Sequence, residues 1–239
     1  MKYFLINCFY KNTVILKFIF LIICFFETNI YQGISSDFDD DLKHPVHILK
    51  NYKINFSNEL IERIESVPEH VIKYLKELDE REDYENYVPA DTELEIVKKS
   101  LKILPEKFHK ILSEKLIGIY FIKNFMGSGY TEWVSDENKK IFFFMVLNPE
   151  VLSGNLSEAL TYKENTCFEK DNSSIKLKID CGKNYPGLCY ILIHESAHVF
   201  DYIEQITPFV EPAVSELSKA DSAVHIFSTY YWQSYKIPF

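Results

Sequence analysis

The chain has 239 residues, of which 47% are hydrophobic and 26% are charged, and its formal net charge is -9. This length and apolar content predict one large folded domain or two small ones and exclude a chain that is disordered throughout. The negative charge excludes a typical nucleic-acid-binding protein, because no basic stripe is present to displace counterions. Only 7 Gly residues argue against a glycine-rich phosphate-binding fold.

Residues 1–30 combine basic and apolar character. Lys2, Lys11 and Lys17 are set among apolar residues, and the run from Phe18 to Phe26 is apolar. This pattern is typical of a signal peptide or an N-terminal anchor and is too short for a full membrane span. We therefore expect a secreted or cell-envelope protein that touches a membrane only through this segment or through a lipid on Cys24.

Residues 31–56 are predicted to be a polar linker, and the acidic cluster within residues 37–41 is interpreted as solvated. Residues 57–115 are predicted to be helical. Their apolar positions recur at steps of three and four, and a capping box at Ser66 and Glu69 would divide the first helix in two. A second helix is expected with Asp91 or Thr92 as its N-cap, and a restart at Pro105.

Residues 116–185 are predicted to form a sheet. Strands are expected at Ile117–Phe125, Tyr130–Val134 and Ile141–Leu147, with a further strand around residues 175–179 and a loop over residues 163–174. The expected fold class is α+β, with a small, mostly antiparallel sheet packed on helices. Ile141–Leu147 is one candidate for an edge that pairs with an extended peptide; the simpler interpretation is an ordinary buried strand.

Residues 186–239 contain the most informative feature, the H-E-x-x-H motif from His194 to His198. Apolar residues on both sides predict a buried helix from about Pro186 to about Ile206. Imidazoles at positions i and i+4 share one helix face and can bind one Zn²⁺, while Glu195 can act as general base. The motif predicts zinc-dependent hydrolysis of a peptide or protein substrate. The alternative is a chance match on a buried helix.

A catalytic zinc site needs a third protein ligand. Glu204 has the spacing of a metzincin ligand, but Asp201 stands where that scheme has glycine, so an unbroken helix directs Glu204 away from the histidines. Glu216, on a helix predicted over residues 211–220, is the preferred candidate. The other possibilities are Asp221, His225, or no third ligand within this chain.

Asp201 extends the motif to H-E-x-x-H-x-x-D and lies on the face of the two histidines. We predict that it orients one imidazole by a hydrogen bond; the alternative is a surface acid near the helix end. Over residues 188–203 the chain resembles the metal helix of the lethal-factor-like zinc metallopeptidase family, which is similar to anthrax lethal factor and the Pro-Pro endopeptidases.

That resemblance implies a zincin-like catalytic domain over residues 57–239, with Zn²⁺ as cofactor, His194 and His198 as ligands and Glu195 as base. In the family the third ligand is a Glu on a later helix, preceded by a Tyr that stabilises the oxyanion, and neither has a clear match here. The chain stops at Phe239, soon after an aromatic segment, which suggests a C-terminally truncated coding sequence.

Three hypotheses follow from the motif and its missing third ligand. The first is an exported zinc metallopeptidase whose site is completed by Glu216 or another acid. The second is a truncated, inactive relative that acts at most as an exported binding protein. The third is an exported α+β protein with a coincidental motif.

Three cysteines lie beyond the N-terminal segment. In an oxidising compartment Cys167 and Cys181 are the preferred disulfide pair, because both flank a loop. Cys189 is predicted to be a buried small hydrophobe in the metal helix. Zinc binding by these cysteines is not expected, since no C-x-x-C spacing occurs.

Overall fold

The structure is a computed structural model that describes residues 2–7, 43–166, 175–204, 232–234 and 237–238. Several predicted features lie outside these residues. They are the apolar run of the N-terminal segment with Cys24, the acidic cluster at 37–41, Cys167, the helix at 211–220 with Glu216, and the alternative ligands Asp221 and His225.

The described residues form five α-helices, which are α1 (Glu69–Asp79), α2 (Asp91–Leu101), α3 (Glu106–Lys115), α4 (Leu156–Thr166) and α5 (Leu188–Glu204). Short 3-10 helices occur at Pro45–His47, Leu49–Asn51, Leu60–Arg63 and Pro149–Leu152.

Local signals explain where most of these helices begin. Proline residues at 68 and 105 directly precede α1 and α3, because proline favours an extended residue before it and cannot donate within a helix. At α2, the Glu93 carboxylate accepts a hydrogen bond from the Ala90 backbone N–H at 2.8 Å. The apolar pattern predicted from Leu60 is divided in two as expected, but its first part is a 3-10 helix, and α1 begins after Pro68 without the capping box predicted at Ser66.

Helix α4 corrects the predicted loop over residues 163–174, because residues 163–166 are helical. Its sequence lacks a clear apolar stripe, and Leu160 is its one buried residue. The periodicity of apolar residues could not predict α4, since so few of its side chains are buried in the core.

The strands are β1 (Lys2–Asn7), β2 (Glu85–Tyr87), β3 (Leu116–Lys123), β4 (Gly129–Ser135), β5 (Ile141–Leu147), β6 (Ile175–Asp180), β7 (Trp232–Ser234) and β8 (Ile237–Pro238). The main sheet has four strands in the order β2-β3-β5-β4. Strands β2 and β3, and β4 and β5, pair antiparallel, whereas β3 and β5 pair parallel. The fold is therefore α+β with a mixed sheet.

Strand order confirms one interpretation and corrects one prediction. All seven residues of β5 are buried and it pairs on both sides, so Ile141–Leu147 is the ordinary buried strand of the simpler interpretation and not a cleft edge. Strand β6 exists as predicted but pairs in parallel with β1 in a separate two-stranded sheet. Apolar runs predict that a strand is buried, but they carry no information on which strands become its neighbours.

The sheet has a hydrophobic core on each face. On one face, Phe143 and Met145 pack with Leu192 and Val199 of α5 and with side chains of α2 and α3. On the other, Phe144 and Val146 pack with Val71 of α1. Burial of these side chains is the main driving force of the fold and holds α5 beneath the sheet. No helix within the described ranges is long and apolar enough to cross a membrane.

Candidate metal centre

The H-E-x-x-H motif lies in the middle of α5, which is an unbroken helix. Leu188, Leu192 and Val199 are each 0% exposed and fix the face that α5 turns to the core. His194 and His198 are half-buried beside that face. The predicted helix is thus confirmed, with bounds within two residues of those expected.

The two imidazoles converge. Their Nε2 atoms lie 3.3 Å apart, and their ring centroids are 4.9 Å apart with planes at 82°. Two nitrogens held about 2.0–2.1 Å from one tetrahedral zinc ion are themselves about 3.3 Å apart. The separation therefore fits two ligands of one zinc ion. Without a metal, the same distance allows one N–H···N hydrogen bond between the rings.

Glu195 is almost fully buried, at 3% exposure. Thr131 of β4 donates a hydrogen bond from Oγ1 to Glu195 Oε2 at 2.7 Å, and its Oγ1 lies 3.3 Å from the Glu195 carbonyl oxygen. Gly129, two residues earlier on β4, is also in close contact with the Glu195 side chain. No motif pointed to Thr131 or Gly129, because the contact depends on how α5 docks on β4.

Further along β4, a buried polar cluster surrounds Glu132. Glu132, at 4% exposure, accepts hydrogen bonds from the hydroxyls of Tyr74 and Tyr130. His47 stacks on Trp133 with ring centroids 3.9 Å apart. Ile48 and Ser135 form an isolated β-bridge. Most of these contacts lie between Glu132 and Ser135, whereas Gly129 and Thr131 lie beside Glu195.

Tyr190 and Lys163 form a second group beside the histidines. Tyr190 is one turn before His194, with ring centroids 6.1 Å apart, and it is 4% exposed. Lys163 of α4 contacts the Tyr190 hydroxyl, and its Nζ lies 4.6 Å from the Tyr190 ring centroid. The sequence shows that Tyr190 and His194 are four residues apart and so share a helix face. It gave no sign of Lys163, which lies in a segment predicted to be a loop.

The remaining acids have different positions. Asp201 is half-buried in the last turn of α5, and its proposed role in orienting an imidazole stays a prediction. Glu204 is exposed at the end of an unbroken helix, as expected for a residue that faces away from the histidines. Within the described part of the chain, no three or more His, Cys, Asp or Glu residues form a group that could hold a metal ion.

Cys189 is buried, at 2% exposure, which confirms its prediction as a buried small hydrophobe on α5. Burial raises the pKa of its thiol, and a hydrogen bond with Ser100 opposes that shift only in part. The preferred disulfide cannot be compared with the structure, because Cys167 lies outside the described residues.

Comparison with known proteins adds no relative: no family model, curated protein or solved structure matches the chain.

Proposed function

We propose that the protein is an exported zinc-dependent metallopeptidase. The observation that carries this proposal is the 3.3 Å separation of the His194 and His198 Nε2 atoms, with buried Glu195 between them on the same helix. His194 and His198 would hold the zinc ion, and Glu216 is the proposed third ligand. Asp201 is proposed to orient one of the imidazoles.

The chemistry divides between the metal and Glu195. A zinc ion held by His194 and His198 would supply Lewis acidity, which would make water more acidic and polarise a carbonyl group. Glu195 accepts a proton from the attacking water on its carboxylate and then donates that proton to the leaving amine. Burial of Glu195 keeps bulk water from competing for this carboxylate.

The position of β4 supports a peptide substrate. Strand β4 is an edge of the main sheet, and β5 pairs with it on one side. In the described part of the chain its other side carries one bridge, between Ile48 and Ser135. An extended peptide could add to the half that begins at Gly129, next to Glu195, through main-chain hydrogen bonds.

Zinc binding is tested by elemental analysis of the full-length protein. We expect about one zinc ion per chain, from the usual stoichiometry of a catalytic site, and loss of that zinc in His194→Ala. His109→Ala is the matched control, because His109 is exposed on α3. A wild-type protein without zinc would refute the proposal.

Hydrolysis is tested with a library of internally quenched peptides. We expect cleavage by the zinc-loaded protein and a loss of about 10²–10⁴-fold in Glu195→Gln, which is the usual contribution of a general base. Glu114→Gln, on the exposed face of α3, is the control. Stoichiometric zinc without any cleavage would favour the inactive binding protein instead.

Export is a separate part of the proposal, and it rests on the basic and apolar pattern of residues 1–30. Expression of the full chain with a C-terminal tag, followed by fractionation and mass measurement of the mature N-terminus, tests it. Retention of the whole chain in the cytosol with an intact N-terminus would contradict it.

A further inference from the structure

We propose that Thr131 and Gly129 of β4 are positioning residues for the Glu195 carboxylate. Thr131 would hold one carboxylate oxygen by a hydrogen bond, and Gly129 would leave the space that the other oxygen occupies. The proposal rests on the proposed function, because it concerns Glu195 as the general base. It assigns to the edge strand a role in catalysis that the H-E-x-x-H motif does not contain.

The Thr131 contact is short and directional. Its hydroxyl lies 2.7 Å from Glu195 Oε2, whereas the alternative acceptor, the Glu195 carbonyl oxygen, is 3.3 Å away. An ionised carboxylate can only accept hydrogen bonds, so the hydroxyl is the donor. Such charge-assisted O–H···O⁻ bonds are among the stronger hydrogen bonds in proteins. Thr131 is also β-branched, which restricts rotation of the hydroxyl about χ1.

Gly129 acts through space rather than through backbone conformation. A Cβ atom at position 129 would lie 2.6 Å from Glu195 Oε1 and 2.7 Å from Ile191 Cγ2. Gly129 is not among the residues with positive φ, so its conformation alone would admit a side chain. Any side chain there would therefore displace the carboxylate or push α5 away from β4.

The two contacts act on the same group from the same direction. Residues 129 and 131 are two apart on a strand, so they face the same side of the sheet. Ile191 and Glu195 are four apart on α5, so they face β4 together. Strand β4 thus constrains both carboxylate oxygens of Glu195, one by a hydrogen bond and one by close packing. A base held in this way needs less reorganisation when it accepts a proton.

The experiment compares variants of the full-length, zinc-loaded protein, using the best-cleaved peptide of the quenched library. We expect Thr131→Val to lower kcat by about 10–100-fold with KM changed less than about threefold, since misplacing a catalytic group has effects of this size. Thr131→Ser keeps the hydroxyl and is expected to stay within about threefold of wild type. Thr92→Val, at an exposed position of α2, is the control.

A second readout does not depend on turnover. Acetohydroxamate chelates zinc and shares its hydroxyl proton with a neighbouring carboxylate, so its affinity, measured by calorimetry, reports on the position of Glu195. We expect roughly tenfold weaker binding by Thr131→Val and Gly129→Ala, the equivalent of one hydrogen bond, with zinc content unchanged. A purely structural role would lower thermal stability without this selective loss.

The outcomes separate the two proposals. If the wild type binds zinc and cleaves peptides but Thr131→Val matches it in kcat and in acetohydroxamate affinity, the positioning role is refuted and the proposed function stands. If Thr131→Ser is as impaired as Thr131→Val, the hydroxyl is not the cause and the positioning role is again refuted. If the wild type binds no zinc, both proposals fail. Should Thr131→Val not fold, Thr131→Ala and Thr131→Ser provide the same comparison.

Discussion

Arg63 is a buried cation, 4% exposed, that binds backbone carbonyl groups from two parts of the chain. Its guanidinium donates to the carbonyl oxygens of Phe56 and Asn58 nearby in the chain. It also donates to those of Leu112, Ser113 and Leu116 at distances of 3.3, 2.8 and 2.6 Å. Replacement of Arg63 by Ala is therefore expected to destabilise the protein severely.

The carbonyls of Leu112 and Ser113 belong to the last turn of α3, and that of Leu116 follows at the first residue of β3. The last four carbonyls of a helix have no partner within it, and the helix dipole places partial negative charge there. Arg63 satisfies these groups and supplies the complementary charge. It thereby joins the segment at residues 56–63 to the end of α3 and to the first residue of β3.

The expected magnitude follows from the carbonyls that lose their donor. A cavity of about 120 Å³ beside Arg63 can admit water to part of the site. If only the two closest carbonyls, those of Ser113 and Leu116, stay unsatisfied at about 1–3 kcal/mol each, Arg63→Ala costs about 2–6 kcal/mol. That is a large part of the ~5–15 kcal/mol by which a domain is usually stable.

The assay is urea unfolding of the full chain followed by tryptophan fluorescence. Arg63→Lys should recover only part of the loss, because an ammonium group cannot reproduce the planar fork of five donors. Arg81→Ala is the control, and a much smaller effect is expected because its ion pair with Asp83 is exposed. A change below about 1 kcal/mol in Arg63→Ala, the size expected for one ordinary hydrogen bond, would refute the reasoning.

Removal of zinc by a chelator should lower the melting temperature of the wild type but not of His194→Ala, since a ligand stabilises only a state that binds it; equal shifts in both would count against the site. Burial and a hydrogen bond to Asp79 raise the pKa of Tyr84 to about 12. The stabilising contribution of Tyr84 is therefore complete below pH 10, its usual pKa, and is lost as pH rises towards 12. Between these two pH values, the free energy of unfolding should fall less steeply in Tyr84→Phe than in the wild type. Burial also raises the pKa of Cys189, so its thiol should react with iodoacetamide at pH 8 far more slowly in the native protein than in urea; equal rates would contradict its burial.

Much of the local structure could be predicted because its signals are local. Proline residues before α1 and α3, the apolar run of β5 and the flanks of the histidine motif each depend on neighbours within a few residues. The same holds for the convergence of His194 and His198, which follows from helical spacing alone. Helix α4 could not be predicted in this way, because Leu160 is its one buried residue and no periodic stripe exists.

The sequence by itself thus determined the helix that carries the H-E-x-x-H motif and the α+β class, since these depend on periodicity and on residue type. Only the tertiary structure decided that β5 is central, that β4 is the edge beside α5, and that Thr131 reaches Glu195 across 64 positions of the chain. Arg63 and Leu116, at the start of β3, meet across 53 positions. Such contacts are set by how whole elements pack to bury their apolar faces, and no local pattern records that choice.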